Sequence, residues 1–237
     1  MKRILRLLLS AFILITACNK KKEKLFNKVD PSYSGIYFKN LLIDTPELNI
    51  LNYLYYYNGA GVVSADFNND GLADLYFSSN QGEDKLYLNK GGLKFEDVTK
   101  AAQIDNSGNW TTGVSHVDIN HDGLLDIYVC KASNYRSLKG SNLLFINKGI
   151  NEEGIPQFSE EASSYGLDFS GLSTQAAFFD YDLDGDLDMY LLNHSVHPNH
   201  TYGKGSQRLE IDSLSGDRLY RNDDGFYTDV STKAGIF

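Results

Sequence analysis

Asp66-Phe67-Asn68-Asn69-Asp70-Gly71-Leu72-Ala73-Asp74 is the stretch that decides the fold. It recurs as Asp118-Ile119-Asn120-His121-Asp122-Gly123-Leu124-Leu125-Asp126, and again as Asp180-Tyr181-Asp182-Leu183-Asp184-Gly185-Asp186-Leu187-Asp188. Each copy reads D-x-[DN]-x-D-G-x-x-D. Side-chain oxygens stand at positions 1, 3, 5 and 9, and the Gly at position 6 turns the chain so that the carbonyl of position 7 can join them. Calcium takes about 6–8 such oxygens at roughly 2.3–2.6 Å. The expected ligands are Asp66, Asn68, Asp70, Asp74 and the Leu72 carbonyl in the first copy. They are Asp118, Asn120, Asp122, Asp126 and the Leu124 carbonyl in the second, and Asp180, Asp182, Asp184, Asp188 and the Asp186 carbonyl in the third. About three calcium ions are expected, one per copy.

An EF-hand begins the same way but needs a bidentate Glu at position 12 and a helix on each side. Position 12 here is Phe77, Val129 and Leu191. The flanks Leu75-Tyr76-Phe77, Ile127-Tyr128-Val129 and Met189-Tyr190-Leu191 are aromatic and aliphatic runs of strand length. Each copy therefore reads as a strand–loop–strand turn. A plain Asp/Asn/Gly hairpin without metal is the alternative for any single copy. Three copies with every acidic position kept argue against it.

The repeat is wider than the loop. A strand A precedes it: Gly61 to Ala65, Gly113 to Val117, and Gln175 to Phe179. Strand B follows it. Strand C comes next, at Lys85 to Asn89, Leu143 to Asn147, and Arg218 to Asn222. Strand D ends each unit, at Phe95 to Thr99, Phe158 to Ala162, and Tyr227 to Ser231. Four antiparallel strands recurring at offsets of 52 and 62 residues describe propeller blades. An independent β-sandwich would not repeat one cation loop per unit. A calcium-binding parallel β-helix has much shorter repeats.

These residues resemble the FG-GAP/VCBS repeat, the blade of integrin-α-type propellers. The resemblance rests on the D-x-[DN]-x-D-G-x-x-D loops and on Tyr57-Asn58-Gly59-Ala60-Gly61-Val62, Leu86-Tyr87-Leu88-Asn89-Lys90-Gly91 and Phe95-Glu96-Asp97-Val98-Thr99. Residues 34–237 look like the front part of exported VCBS-repeat lipoproteins of Bacteroidetes-type bacteria, related to cartilage acidic protein. The resemblance implies an all-β calcium-binding propeller of about seven blades, within the 4–8 usual for propellers. The chain shows three: 60–105, 111–168 and 174–237. It is therefore expected to be a partial propeller whose missing blades belong to a longer or a second chain.

Residues 1–17 read as an export signal, with Lys2, Arg3 and Arg6 followed by the apolar run Leu7 to Ile15. Ile15-Thr16-Ala17-Cys18 resembles a lipobox, which implies acylation of Cys18 and an outer-membrane or cell-surface lipoprotein held only by its lipid. The apolar run is too short for a spanning helix, which needs about 20 residues. Residues 18–33 are the expected tether. Residues 34–59 are an extension in which Ile36 to Leu41 is expected to be a strand D that would complete a ring. Cys130 lies in an apolar strand, so no disulfide is expected.

The formal charge is −9, and without the three cations of residues 1–17, nineteen basic against 31 acidic residues leave −12. That sign speaks against nucleic acid as a partner. Three calcium ions would bring it to about −6.

Strand order places the A–B loops at one end of each blade and the B–C connections at the other. Those connections lengthen along the chain, from 80–84 to 131–142 to 193–217, and a protein or glycan partner is expected on that end. His194, His197 and His200 lie in the last one and are expected to be ordinary polar residues rather than a zinc site. His116 and His121 have less claim still. The Tyr53 to Tyr57 cluster is expected to pack as core rather than serve as a sugar platform. No G-x-S-x-G, H-E-x-x-H or phosphate-cradling motif is present, so a non-enzymatic adhesion scaffold is favoured. The other reading is the front portion of a polysaccharide lyase or hydrolase built on a propeller.

Overall fold

The computed structural model describes residues 24–106, 110–196 and 212–236. The export signal, Cys18, the first part of the tether, His197 and His200 lie outside them. The chain forms two compact units, Met1–Asp30 and Pro31–Phe237. Residues 24–30, the described part of the first, carry no helix or strand, and Leu25 and Phe26 are exposed.

The second unit is all-β apart from three single helical turns among the described residues: α1 (Pro31–Ser34), α2 (Ala162–Tyr165) and α3 (Ser231–Ala234). Three four-stranded antiparallel sheets follow one another as the blades of a partial β-propeller. Blade 1 is β1 (Val62–Ala65), β2 (Asp74–Phe77), β3 (Lys85–Asn89) and β4 (Phe95–Asp97). Blade 2 is β5 (Thr111–Val117), β6 (Asp126–Lys131), β7 (Leu143–Ile150) and β8 (Pro156–Glu160). Blade 3 is β9 (Ser173–Phe179), β10 (Asp188–Asn193), β11 (Arg218–Asp223) and β12 (Phe226–Asp229).

Blade order sets the burial. The middle blade is covered on both faces, and all six residues of β6 are buried. Ile127 and Val129 point toward blade 1 and pack with Tyr76, Leu86 and Leu88. Tyr128 and Cys130 point toward blade 3 and pack with Met189, Leu191 and Tyr220. Strand alternation sends successive side chains to opposite faces, so one apolar strand serves two cores. The innermost strands approach closely. A Cβ on Gly61 would sit 2.9 Å from the Val114 nitrogen, and one on Gly113 would collide with the Thr174 carbonyl. Polar side chains stitch these strands together: Ser115 Oγ donates to the Ala176 carbonyl at 2.6 Å, and Thr112 Oγ1 to the Ser173 carbonyl at 2.8 Å.

Strand D is shorter at its far end than expected. Asp97 Oδ1 accepts the Thr99 nitrogen at 3.1 Å, and Asp229 Oδ1 the Ser231 nitrogen at 3.0 Å. These local bonds turn the chain out of the ladder. In blade 2, Glu160 Oε1 accepts the Ala162 nitrogen at 2.9 Å, and Ala162 opens a helical turn instead of extending the strand.

Ile36 to Leu41 is not a strand. It runs as irregular chain against blade 1. Phe38 stacks on Phe77 with ring centroids 5.0 Å apart and planes at 21°. Asn40 Oδ1 accepts the Asn80 nitrogen at 3.1 Å, and its Nδ2 donates to Asn80 Oδ1 at 2.7 Å. Gln81 clasps both backbone groups of Ile43, at 2.6 and 3.2 Å. Side-chain partners replace the ladder that a strand would need. Further along, Tyr53 and Tyr56 are buried with Trp110, Leu138 and Leu172 in a third core cluster, while Leu54 and Tyr57 stay exposed.

Candidate metal centre

Each nine-residue loop is a hairpin closed by its last residue. Ala65 pairs with Asp74, Val117 with Asp126, and Phe179 with Asp188. Within the loops, position 4 has a left-handed backbone, with φ 56° at Asn69, 56° at His121 and 65° at Leu183. Position 6 does too, with φ 85° at Gly71, 85° at Gly123 and 103° at Gly185. Two reversals within three residues curl the chain around the position 1 carboxylate. Asp66 accepts the nitrogens of Asp70 and Gly71 at 3.1 and 2.8 Å. Asp118 accepts those of Asp122 and Gly123 at 3.0 and 2.9 Å. Asp180 accepts those of Leu183 and Gly185 at 2.7 and 3.2 Å. The position 5 carboxylate accepts the amide of position 7 in all three: Leu72 at 2.8 Å, Leu124 at 2.9 Å and Asp186 at 3.2 Å.

The position 9 carboxylates are fully buried and have structural work of their own. Asp74 accepts the nitrogens of Phe67 and Asn89 at 3.0 and 2.8 Å. Asp126 accepts those of Ile119 and Asn147 at 3.0 and 2.8 Å. Asp188 accepts those of Tyr181 and Asn222 at 2.8 and 2.9 Å. Each one ties its own loop to strand C. Burial pushes Asp74 and Asp126 up to about 6, while these amides pull the other way. A carboxylate has about four lone-pair sites, so two amide bonds leave room for a cation.

The third loop carries five carboxylates where the other two carry three carboxylates, with an Asn at position 3. Asp180, Asp182 and Asp188 each bring an oxygen within 4.8 Å of the others. Asp186 Oδ1 is buried without a hydrogen-bond partner, and burial together with Asp184 pushes that group up to about 6. Hard oxygen donors crowded with an orphaned carboxylate oxygen fit a calcium-type cation, whose charge would relieve the crowding.

At the opposite end, a second threefold repeat appears that the sequence reading missed. The Tyr76 hydroxyl donates to Asp84 at 2.9 Å, and Asp84 accepts the Ser79 nitrogen at 2.7 Å. Asn142 Nδ2 donates to the Tyr128 hydroxyl at 3.0 Å, and its carbonyl accepts the Lys131 nitrogen at 2.8 Å. The Tyr190 hydroxyl donates to Asp217 at 2.8 Å, and Asp217 accepts the Asn193 nitrogen at 2.8 Å. The signal was visible as a Tyr in each strand B and a polar residue just before each strand C.

His194 packs between blade 3 and the extension. Its Nε2 lies 2.9 Å from the Tyr53 hydroxyl and its Nδ1 3.2 Å from Thr174 Oγ1. With both nitrogens engaged it is a packed histidine, and burial pushes it down to about 4. Beside this cluster, a cleft of about 280 Å³ is lined by Leu48, Asn80, Gln81, Trp110, Leu138 and Lys139.

Residues 66–129 match the FG-GAP-like repeat. The matched span runs from the first acidic loop through the second to Val129 in β6. The chain is also similar to cartilage acidic protein 1. It is 30% identical to the human protein over 137 residues and 29% to the mouse protein over 137, covering 56% of this chain and 20% of each relative. It is 27% identical to the Xenopus tropicalis protein over 138 residues, 58% of this chain and 20% of that one. The matched stretch thus spans a fifth of each relative's length. The repeat suggests a propeller-type binding scaffold.

Proposed function

We propose that this protein is a calcium-stabilised propeller scaffold, exported and lipid-anchored through Cys18, that binds a protein or glycan at the B–C end of its blades. The observation that carries the metal part is the convergence of Asp180, Asp182 and Asp188 oxygens within 4.8 Å. Bound calcium would neutralise the clustered carboxylates there. The chain's own residues do the rest. Asp66, Asp118 and Asp180 hold the loop amides, and Asp74, Asp126 and Asp188, at the start of strand B, fix strand C against the loop.

The partner reading is supported by the arrangement of the two ends. The cation loops are short and alike. The B–C end holds the long connections, the extension and the cleft beside Trp110. Elemental analysis of the purified chain after calcium loading and removal of free ion tests the metal: about three bound ions are expected, and none would overturn it. A glycan and peptide array with a turnover assay tests the rest. Binding lost on Lys139→Ala, an exposed residue of the cleft, without product formation supports the scaffold, whereas product formation would favour a carbohydrate-active enzyme.

A further inference from the structure

Asn147 stands within strand C of blade 2, β7 (Leu143–Ile150), and joins two of the acidic loops. Its Nδ2 donates to the Phe67 carbonyl at 2.9 Å. Phe67 is position 2 of the first loop, and its nitrogen donates to Asp74 at 3.0 Å. The Asn147 nitrogen donates to Asp126, position 9 of the second loop, at 2.8 Å. A hydrogen-bonded relay therefore runs from the Asp74 carboxylate through the Phe67 backbone and Asn147 to the Asp126 carboxylate. All four residues are buried, and Phe67 is pinned further by an edge-on contact with Phe158, centroids 6.1 Å apart. Two more bonds run in parallel at the surface. Asn69 Nδ2 donates to the Gly123 carbonyl at 3.3 Å, and Asn68 Nδ2 to the Gly154 carbonyl at 3.4 Å.

Asn147 Nδ2 also donates to the Leu125 carbonyl of its own loop at 3.3 Å, and the corresponding residue of blade 3 keeps that own-blade bond without the bond to a neighbouring blade. Asn222 Nδ2 turns to the Leu187 carbonyl at 3.3 Å and the Tyr227 hydroxyl at 3.5 Å, both within its own blade. The Tyr227 hydroxyl itself donates to the Leu187 carbonyl at 2.5 Å.

We infer that Asn147 is a positioning residue that makes the cation loops of blades 1 and 2 a cooperative pair, while the loop of blade 3 binds on its own. This rests on the calcium reading above. Occupying one loop fixes its position 9 carboxylate. Through the relay, that fixes the Phe67 backbone next to Asn68, a ligand position of the other loop. The second ion then meets a loop whose ordering cost has been met, which is positive coupling.

The test is a calcium titration of the full chain, with the amide resonances of Gly71, Gly123 and Gly185 reporting the three loops separately. Asp122→Ala disables the second loop at an exposed position outside the relay. It should weaken calcium binding at the Gly71 loop by at least about fivefold and leave the Gly185 loop unchanged. Asn147→Ala should shrink that dependence to what the Asn69 and Asn68 bonds carry while the loops still bind, and an undiminished dependence would overturn the role given to Asn147. Equal effects of Asp122→Ala on the Gly71 and Gly185 loops would overturn the coupling and leave the calcium reading standing. No response of any of the three glycines in the unaltered protein would sink the calcium reading itself. Should Asn147→Ala fail to fold, the Asp122→Ala comparison decides alone.

Discussion

The Tyr76 hydroxyl donates to the Asp84 carboxylate at 2.9 Å across the B–C connection of blade 1, and both residues are buried. Asn106 Nδ2 also donates to Asp84, and Lys131 Nζ donates to the Asn106 carbonyl. A residue between the blades thus bridges a carboxylate of blade 1 and an ammonium of blade 2. Burial pushes Asp84 up to about 6 and Lys131 down to about 8.

Removing one side of that arrangement leaves a buried charge without compensation. Asp84→Ala should cost about 3–5 kcal/mol. Asp84→Asn should cost less than half as much, because blade 2 already uses Asn142 in the same place. Urea unfolding of the two variants measures the difference.

The position 5 and position 9 carboxylates should separate in chelator. Asp70 is exposed and its bonds are confined to its own loop, so Asp70→Ala should change stability little without calcium and shrink the gain when calcium is added. Asp122→Ala and Asp184→Ala should behave alike. Asp74 accepts two backbone amides while fully buried, so Asp74→Ala should cost about 2–4 kcal/mol even in chelator. The gain that the position 5 variants lose is about 2.7 kcal/mol at calcium 100-fold above the dissociation constant. Thermal melts with chelator and with calcium check both.

His194 gives a pH dependence with a defined sign. Its folded value is about 4 against an ordinary 6.5. The unfolded chain takes up a proton that the buried ring refuses, so the unfolded state gains as acid is added. The contribution is whole above pH 6.5 and is lost progressively as pH falls through 4. Asp74, Asp84 and Asp126, raised to about 6, carry the opposite sign over the same range, so the His194 contribution is read by difference: the stability of His194→Gln relative to the unaltered protein should rise as pH falls from 6.5 to 4.

Leu183 holds φ at 65° and is exposed, at the loop position where Asn69 and His121 stand in the other copies. A left-handed backbone costs an ordinary residue roughly 1–2 kcal/mol, and Asn tolerates it better. Leu183→Asn should therefore stabilise the protein by about 0.5–1 kcal/mol, read as a higher melting temperature in chelator and in calcium alike.

The resemblance between copies made the blades legible. Three identical spacings of Asp and Gly, each followed by an aromatic strand, left one repeating unit to choose, and the strand order is the expected one. Where strand D stops was not legible, because Asp97 and Asp229 look like strand residues until their bonds to Thr99 and Ser231 are seen. The course of the extension was not legible for a related reason. Ile36 to Leu41 has a strand's composition, but its partners are side chains on blade 1, notably Phe77, Asn80 and Gln81.

Local spacing and antiparallel alternation were enough to fix the repeat, the clustering of acidic side chains in three loops and the end of each blade at which those loops lie. The tertiary structure decided which blade is buried on both faces, how the extension covers blade 1, and that Asn147 reaches the loop of the neighbouring blade while Asn222 stays within its own. Those outcomes join residues far apart in the chain. Side-chain identity fixes what a residue can donate or accept, and packing alone fixes which distant partner is within 3 Å.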